Sequence, residues 1–207
     1  MRQIFDDTIK VTVNERLRQL EKYFNADVIF YFGEIHPSVE KIFRDFIEML
    51  KKDLEFNRDN LVVLINTPGG SAETVERMVS VMRFHYKEVY FIVPDYAMSA
   101  GTVLCMSGDK IYMDYSSSLG PIDPQVFNGK NWVPALGYLD KVEELIEKSR
   151  ANQLTQAEFM MLQKIDFAEL RSFEMARNLT IALLKEWLVK YKFKDWTIHQ
   201  STKKNGN

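Results

Sequence analysis

Short apolar runs alternate with stretches of helical spacing along the first half of the chain. Residues 28–32, 61–65 and 89–93 are rich in β-branched, aliphatic and aromatic side chains and end at turn residues, as buried strands do. Residues 110–113 form a further, shorter run of this kind. Helical segments between such strands predict an α/β fold in which helices pack around a central sheet.

The helical segments are marked by apolar residues that recur every three or four positions. The clearest has its apolar positions at Val39, Ile42, Phe43, Phe46, Ile47 and Leu50. A second has them at Val75, Met78, Val79 and Met82. Further helices are predicted after Ser99, from Leu139, from a capping box at Thr155 and Glu158, and around Trp187. Residues 116–125 are polar and contain two prolines, which predicts a loop suited to binding.

These patterns divide the chain into three parts. Residues 1–26 form a charged N-terminal helical extension, residues 27–150 a core, and residues 151–207 a C-terminal helical segment with a polar tail. A chain of 207 residues is the usual size of one domain with an appendage.

Composition excludes several classes of function. With 27 basic and 29 acidic residues the net charge is −2, and no basic stripe suggests a nucleic-acid partner. The single cysteine, Cys105, excludes an intramolecular disulfide. We find no metal-ligand cluster, Walker loop or dinucleotide fingerprint, so we expect neither a metal nor a cofactor. No secretory signal and no apolar run of the ~20 residues that a membrane span needs is visible, so we expect a cytoplasmic protein.

Two strand-to-helix turns carry the candidate chemistry. The run at 61–65 leads into Pro68-Gly69-Gly70, and the run at 89–93 leads into Met98-Ser99-Ala100. In one α/β layer such turns lie at the same end of the sheet. A serine there is often only a helix N-cap. However, adjacent glycines let backbone N–H groups face a ligand, and a serine beside them is the arrangement that acyl transfer requires.

Three motifs, in this order, carry a family resemblance: Asn66-Thr67-Pro68-Gly69-Gly70, Ala97-Met98-Ser99-Ala100-Gly101 and Ser107-Gly108-Asp109-Lys110-Ile111. Together they resemble the superfamily of Clp-type peptidases, which shares its fold with the crotonases. The later stretches 119–125 and 191–196 are similar to the serine dehydrogenase proteinase family, a relative of signal peptide peptidase A. The resemblance covers residues 27–200.

The resemblance implies a Clp-like fold and a serine peptidase that hydrolyses peptide bonds through an acyl-enzyme. Carried over by position, Ser99 matches the nucleophile of the family. Backbone N–H groups of Gly69 or Gly70, and of Ala100, match its oxyanion hole.

Two further candidate residues come from their places in the chain, and the partners from the resemblance. Met98 is expected to line the substrate pocket, and Asp123 to orient a base or a peptide amine, unless it only holds a turn. The partner is a peptide or protein substrate. A homo-oligomer is implied as well. The apolar C-terminal faces with Trp187 and Tyr191 suit such contacts, although they equally suit packing on their own sheet.

The sequence departs from the Clp pattern where the general base is expected. Clp peptidases place a histidine after the strand that follows the nucleophile's helix, and this chain has none there. His36, His85 and His199 lie elsewhere, and we interpret them as a turn residue, a helix-end residue and part of the tail. Signal peptide peptidase A uses a lysine instead, and burial must lower the pKa of such a lysine. Lys141 matches that lysine best, Lys130 is the alternative at a hairpin tip, and a chain without a base is the third possibility.

Two other functions compete with the peptidase. The missing histidine would suit a catalytically inactive Clp-like scaffold that binds peptides or a partner protein. An acyl-CoA enzyme of the crotonase type would also use an N–H oxyanion pair, but it would need no serine nucleophile.

Overall fold

The computed structural model describes residues 2–52, 58–122, 125–127 and 132–196. The chain divides into two compact units, which we describe separately. Unit 1 consists of residues 1–121 together with 183–207, and unit 2 of residues 122–182. This grouping does not follow the predicted boundaries at residues 26 and 150.

Unit 1 is built on a four-stranded sheet in the order β1-β2-β3-β5. Its strands are β1 (Asp27–Phe32), β2 (Asn60–Asn66), β3 (Glu88–Val93) and β5 (Lys110–Met113). All neighbouring pairs are parallel. Two two-residue strands, β4 (Tyr96–Ala97) and β6 (Ser118–Leu119), pair in parallel beside the sheet. The predicted strands are confirmed to within a residue, but β6 lies inside the stretch that was predicted to be all loop.

Four helices accompany this sheet: α1 (Arg2–Phe24), α2 (Glu40–Lys52), α3 (Ala72–His85) and α4 (Ala100–Met106). A 3₁₀ turn, Pro37–Val39, precedes α2, so Val39 lies before that helix rather than in it. Ser71 caps α3, because its hydroxyl accepts a hydrogen bond from the Thr74 N–H.

The two faces of the sheet are covered differently. Alternate residues of a strand point to opposite faces. On one face Val63 and Phe91 are buried, whereas Met113 on the edge strand β5 is 43% exposed. Gly108, just after α4, lies directly against the Phe91 ring, and α4 packs on α3 and α3 on α2, so these helices form the layer on that face. Helix α1 covers part of the other face, with Leu17, Leu20 and Phe24 packed over Val28 and Tyr90.

Unit 2 contains a hairpin of β7 (Gln125–Phe127) and β8 (Trp132–Pro134), which pair antiparallel. The helices α5 (Ala135–Arg150), α6 (Gln156–Leu162) and α7 (Phe167–Trp187) follow, and the last turns of α7 belong to unit 1. The capping box of Thr155 and Glu158 is confirmed at the start of α6. In α5, Leu145 is buried with Leu139 and Val142, whereas Ile146 is largely exposed.

A π-helical turn, Leu188–Lys192, follows α7. Trp187 is buried, and the Tyr191 ring packs against the Arg83 guanidinium of its own unit. Of the two roles considered for these residues, the structure therefore favours packing within the chain. Among the helices in the described ranges, none is both long enough and apolar enough to span a membrane.

Candidate active site

Ser99 lies at the sharp turn between β4 and α4. Its backbone has φ 49° and ψ −118°, a conformation that residues other than glycine rarely adopt and that costs about 1–3 kcal/mol. No amide in the described first turn of α4 donates to its side chain, so its hydroxyl does not serve as a helix cap. A strained strand-to-helix turn that presents a serine without using it locally is typical of a nucleophile.

The glycine turn after β2 lies directly against this serine. A Cβ added to Gly69 would lie 2.9 Å from the Ser99 Cβ and 2.6 Å from the Met98 carbonyl oxygen. The turn is fixed from its other side by Ile35, whose N–H donates to the Gly69 carbonyl (2.7 Å) and whose carbonyl accepts from the Ser71 N–H (2.8 Å). The structure therefore brings the glycine motif and the serine motif together, as their order along the chain predicted.

The hydrogen bonds of this turn distinguish its two glycines. The Gly69 N–H donates to Thr67 Oγ1 at 3.1 Å. Gly70 pairs with Ile35 as an isolated parallel bridge, in which the flanking residues make the bonds and the central N–H points away from Ile35. Across the turn, Ala100 opens α4, where backbone N–H groups have no intrahelical partner.

A threonine secures the serine turn from behind. Thr102 Oγ1 lies 2.8 Å from the Ala97 carbonyl oxygen and 2.9 Å from that of Gly120. It thereby ties α4 to the strand before it and to the segment after β6. Met98 packs over Gly120, where a Cβ would collide with its sulfur, so the Met98 side chain is confined beside the serine turn.

The far end of α4 is held by a buried ion pair. Arg83 Nη1 donates to Asp109 Oδ2 at 2.7 Å, with side-chain exposures of only 10% and 6%, and Arg83 Nη2 donates to the Ser107 carbonyl that ends α4. Lys194 Nζ donates to Asp109 Oδ1 at 3.0 Å, and the Tyr191 ring covers Arg83 at 3.7 Å. The C-terminal segment thus completes the support of the nucleophile's helix.

The charge of Asp109 is stabilised by these contacts. Burial alone would raise the pKa of its carboxyl group, but hydrogen bonds from the Val89 N–H, Arg83 and Lys194 outweigh burial and hold the pKa below the ordinary 3.8. Burial has the opposite net result at Cys105, where it raises the pKa of the thiol to about 12. Cys105 is therefore a neutral core residue.

Of the two lysines predicted as the base, Lys141 lies within the described residues. Lys141 belongs to α5 in unit 2, where its Nζ donates to both carboxylate oxygens of Glu144 at 2.8 Å and its side chain is 55% exposed. The pairing of Lys141 with Ser99 stays a prediction. Lys130 and Asp123 lie outside the described residues, although β7 and β8 form the hairpin predicted on either side of Lys130.

The histidines match their predicted roles where they are described. His36 precedes the 3₁₀ turn and accepts from the Ser38 N–H, and His85 ends α3. His199 lies outside the described residues. Within the described ranges, no three His, Cys, Asp or Glu side chains are grouped so that they could hold a metal ion.

Sequence reasoning missed three residues that shape the site: Ile35, Thr67 and Thr102. Only Thr67 had a detectable signal, since a threonine next to a Pro-Gly turn often bonds the local backbone. Thr102 resembles any small residue in an apolar helix, and the bridge made by Ile35 joins segments 35 residues apart.

Known proteins share sequence with much of this chain. The sequence profile of the ClpP-like SDH-type serine proteinase family matches residues 7–203. Two uncharacterised proteins of Methanocaldococcus jannaschii, MJ0137 and MJ1495, are 42% identical over 64 residues and 33% identical over 109 residues. These matches cover 31% and 53% of this chain, and they span only 22% and 35% of the two relatives.

A solved structure is also similar. It is the 1510-N membrane-bound stomatin-specific protease, determined as a lysine-to-alanine mutant in complex with a substrate peptide. The TM-score is 0.45 and the identity 21%, and the match covers 55% of each chain.

Proposed function

Because the chain belongs to the ClpP-like SDH-type serine proteinase family, we propose that it hydrolyses peptide bonds through an acyl-enzyme on Ser99. The observation that carries this proposal is the strained Ser99 backbone, held against Gly69 with the hydroxyl free of any capping role. Such strain persists only where the surrounding structure enforces it, and it is typical of catalytic sites.

In the proposed reaction, Ser99 Oγ attacks the carbonyl carbon of a peptide bond. Its proton passes to Lys141 Nζ, and the new oxyanion accepts hydrogen bonds from the backbone N–H groups of Gly70 and Ala100. Of the two glycines we choose Gly70, because the Gly69 N–H already donates to Thr67. Collapse of the tetrahedral intermediate breaks the C–N bond, and the leaving amine takes the proton from Lys141. Water then releases the acyl group and restores the serine.

Lys141 needs a change of surroundings to act as this base. In the structure the Lys141 Nζ is held by the Glu144 carboxylate, so the proposed role requires that Lys141 leaves Glu144 for a position beside Ser99. We also propose that the chain works as a homo-oligomer on a peptide or protein substrate. Met98 would line its pocket, and Asp123 would contact the substrate.

The decisive experiment is intact-mass analysis after incubation with a fluorophosphonate. We expect one adduct on the wild-type chain and none on Ser99→Ala. Ser80→Ala, which removes an exposed hydroxyl on α3, should label like the wild type. A folded wild-type chain without an adduct would contradict the proposal and favour the inactive scaffold, and binding of CoA would then identify the crotonase alternative.

The role of Lys141 as general base is tested by the rate of fluorophosphonate labelling. We expect Lys141→Met to slow labelling by several orders of magnitude, as loss of a member of a catalytic unit does, and Lys141→Arg not to restore it, because arginine does not deprotonate. Lys130→Met should label at the wild-type rate. The reverse pattern would assign the base to Lys130, and normal labelling of both variants would reject a lysine base.

A further inference from the structure

One face of the sheet in unit 1 is only half covered. On its amino-terminal half, the α1 side chains Leu17, Leu20 and Phe24 pack over a buried cluster that includes Val28 and Tyr90. The Phe24 ring reaches Tyr112 on β5, with 5.2 Å between the ring centroids. Upstream of Leu17, residues 10–16 of α1 are all exposed, so this described part of the helix adds no cover to the face.

The open half carries an apolar row across all four strands. The strand register aligns Phe30 with Leu64, Leu64 with Ile92, and Ile92 with Tyr112, so these side chains lie side by side on one face. Phe32 follows Phe30 on the same face, 6.2 Å away between ring centroids. We call these five residues the open sheet patch.

This patch is large enough to matter. Its three aromatic side chains are 38–73% exposed, which leaves roughly 300 Å² of apolar surface at ~200 Å² for a full aromatic side chain. Isolated exposed apolar residues are common, whereas a contiguous patch of about 300 Å² is in the range of the largest patch of a typical monomer, which is often functional.

The same unit carries a matching surface on its opposite side. Helix α2 buries Phe43, Ile47 and Leu50, yet a second apolar ridge runs beside them. This exposed ridge consists of Ile42, Phe46 and Met49. Its members are 44–70% exposed and spaced i, i+4, i+7, so they form one continuous row along the helix. The ridge exposes about the same apolar area as the open sheet patch.

We propose that the open sheet patch binds the exposed ridge of α2 from a second copy of this chain. The patch already accepts the apolar side of a helix on its covered half, so a second helix laid beside α1 would complete the cover. The chain's own α2 cannot do this, because it lies in the layer on the other face of the same sheet. Together the two surfaces would form the apolar centre of an interface of standard size, about 800 Å² per partner.

Because the patch and the ridge are different surfaces, the contact is heterologous. Each copy then offers one free patch and one free ridge, and repetition of the contact gives a ring, or a filament if it does not close. This inference identifies the contact surface of the homo-oligomer proposed above. It does not depend on the chemistry at Ser99.

Complementation of two damaged surfaces tests the proposal. Phe32→Asp damages only the patch and Ile42→Asp only the ridge, both at largely exposed positions. By light scattering after size exclusion, we expect an oligomer for the wild type and monomers for each variant alone. In an equimolar mixture we expect heterodimers with twice the mass of the monomer, because the intact patch of one variant can bind the intact ridge of the other. Phe84→Asp, at an exposed site outside both surfaces, should keep the wild-type mass.

Three results would overturn the proposal: a monomeric wild type, single variants of wild-type mass, or variants that dimerise alone and do not respond to mixing. Circular dichroism confirms that each variant is folded. Should an aspartate variant unfold, a mixture of Phe32→Cys and Ile42→Cys chains under mild oxidation should give a disulfide-linked heterodimer that neither gives alone. Cys105 is buried and does not compete. Fluorophosphonate labelling, measured in parallel, reports separately on the proposed peptidase.

Discussion

At the scale of single residues, the candidate site depends on backbone groups as much as on side chains. Two of the groups proposed for catalysis are backbone N–H groups, and their positions follow from close approaches that only glycine allows. A Cβ at position 70 would lie 2.7 Å from the Ile35 carbonyl carbon, in a backbone with φ +145°. The sequence predicted the glycines, but not Ile35, because nothing in a chain pattern shows which backbone a loop will approach.

Gly70→Ala should therefore be severely destabilising. The new methyl group meets backbone rather than a flexible side chain, so we expect the free energy of unfolding to fall by more than about 2 kcal/mol. Gly137→Ala is the matched control. A Cβ there meets nothing within 4 Å, and the residue lies in α5, so we expect up to about 1 kcal/mol of added stability. Urea denaturation measures both, and equal effects would refute this account of the glycine turn.

At the scale of elements, apolar periodicity predicted the strands of the central sheet better than the limits of the later helices. The strand predicted at residues 110–113 has these bounds in the structure, because the turn residues on either side of the apolar run mark where it begins and ends. The same reasoning missed the length of α7, which begins at Phe167. There Phe167, Met175 and Ile181 are exposed, so no single apolar face marks the helix. Nor could periodicity identify the base, because a lysine acquires that role through burial, which spacing does not encode.

The ion pair behind α4 makes a prediction on stability. Asp109→Asn leaves Arg83 buried without its counter-charge, so we expect a loss of about 3 kcal/mol at neutral pH. Lys194→Met removes only a partly exposed partner and should cost far less. Equal decreases in the free energy of unfolding in both variants would contradict the view that Arg83 is the more important partner of Asp109.

The same pair should be sensitive to acid. Because the folded pKa of Asp109 is lowered, its contribution to stability is fully present above the unfolded value near 3.8 and is lost as the pH falls through the folded value. The difference in free energy of unfolding between wild type and Asp109→Asn should therefore be constant above pH ~5 and shrink below pH ~4. Urea titrations across this range measure it, and a difference that persists to the lowest pH would contradict the assignment.

At the scale of the whole molecule, family membership and the described site support a peptidase. The finer statements, on the base and on assembly, rest on the labelling and complementation experiments. The oligomer prediction shows how far sequence reasoning reaches. The homo-oligomer was implied by the family resemblance, and Trp187 and Tyr191 were considered either for its contacts or for packing on their own sheet. In the structure they pack within their own chain. The exposed ridge of α2 was part of the clearest predicted helix, yet only the three-dimensional packing separates its buried row from its exposed one.

Unit 1 is formed by two separate stretches of the chain, and these are synthesised at different times. On the ribosome, residues 1–121 emerge well before residues 183–207 exist. Until Tyr191 and Lys194 arrive, Arg83 lacks its aromatic cover and Asp109 one of its two cations. The support of α4, and with it the strained turn at Ser99, is therefore completed only after Tyr191 and Lys194 have been synthesised.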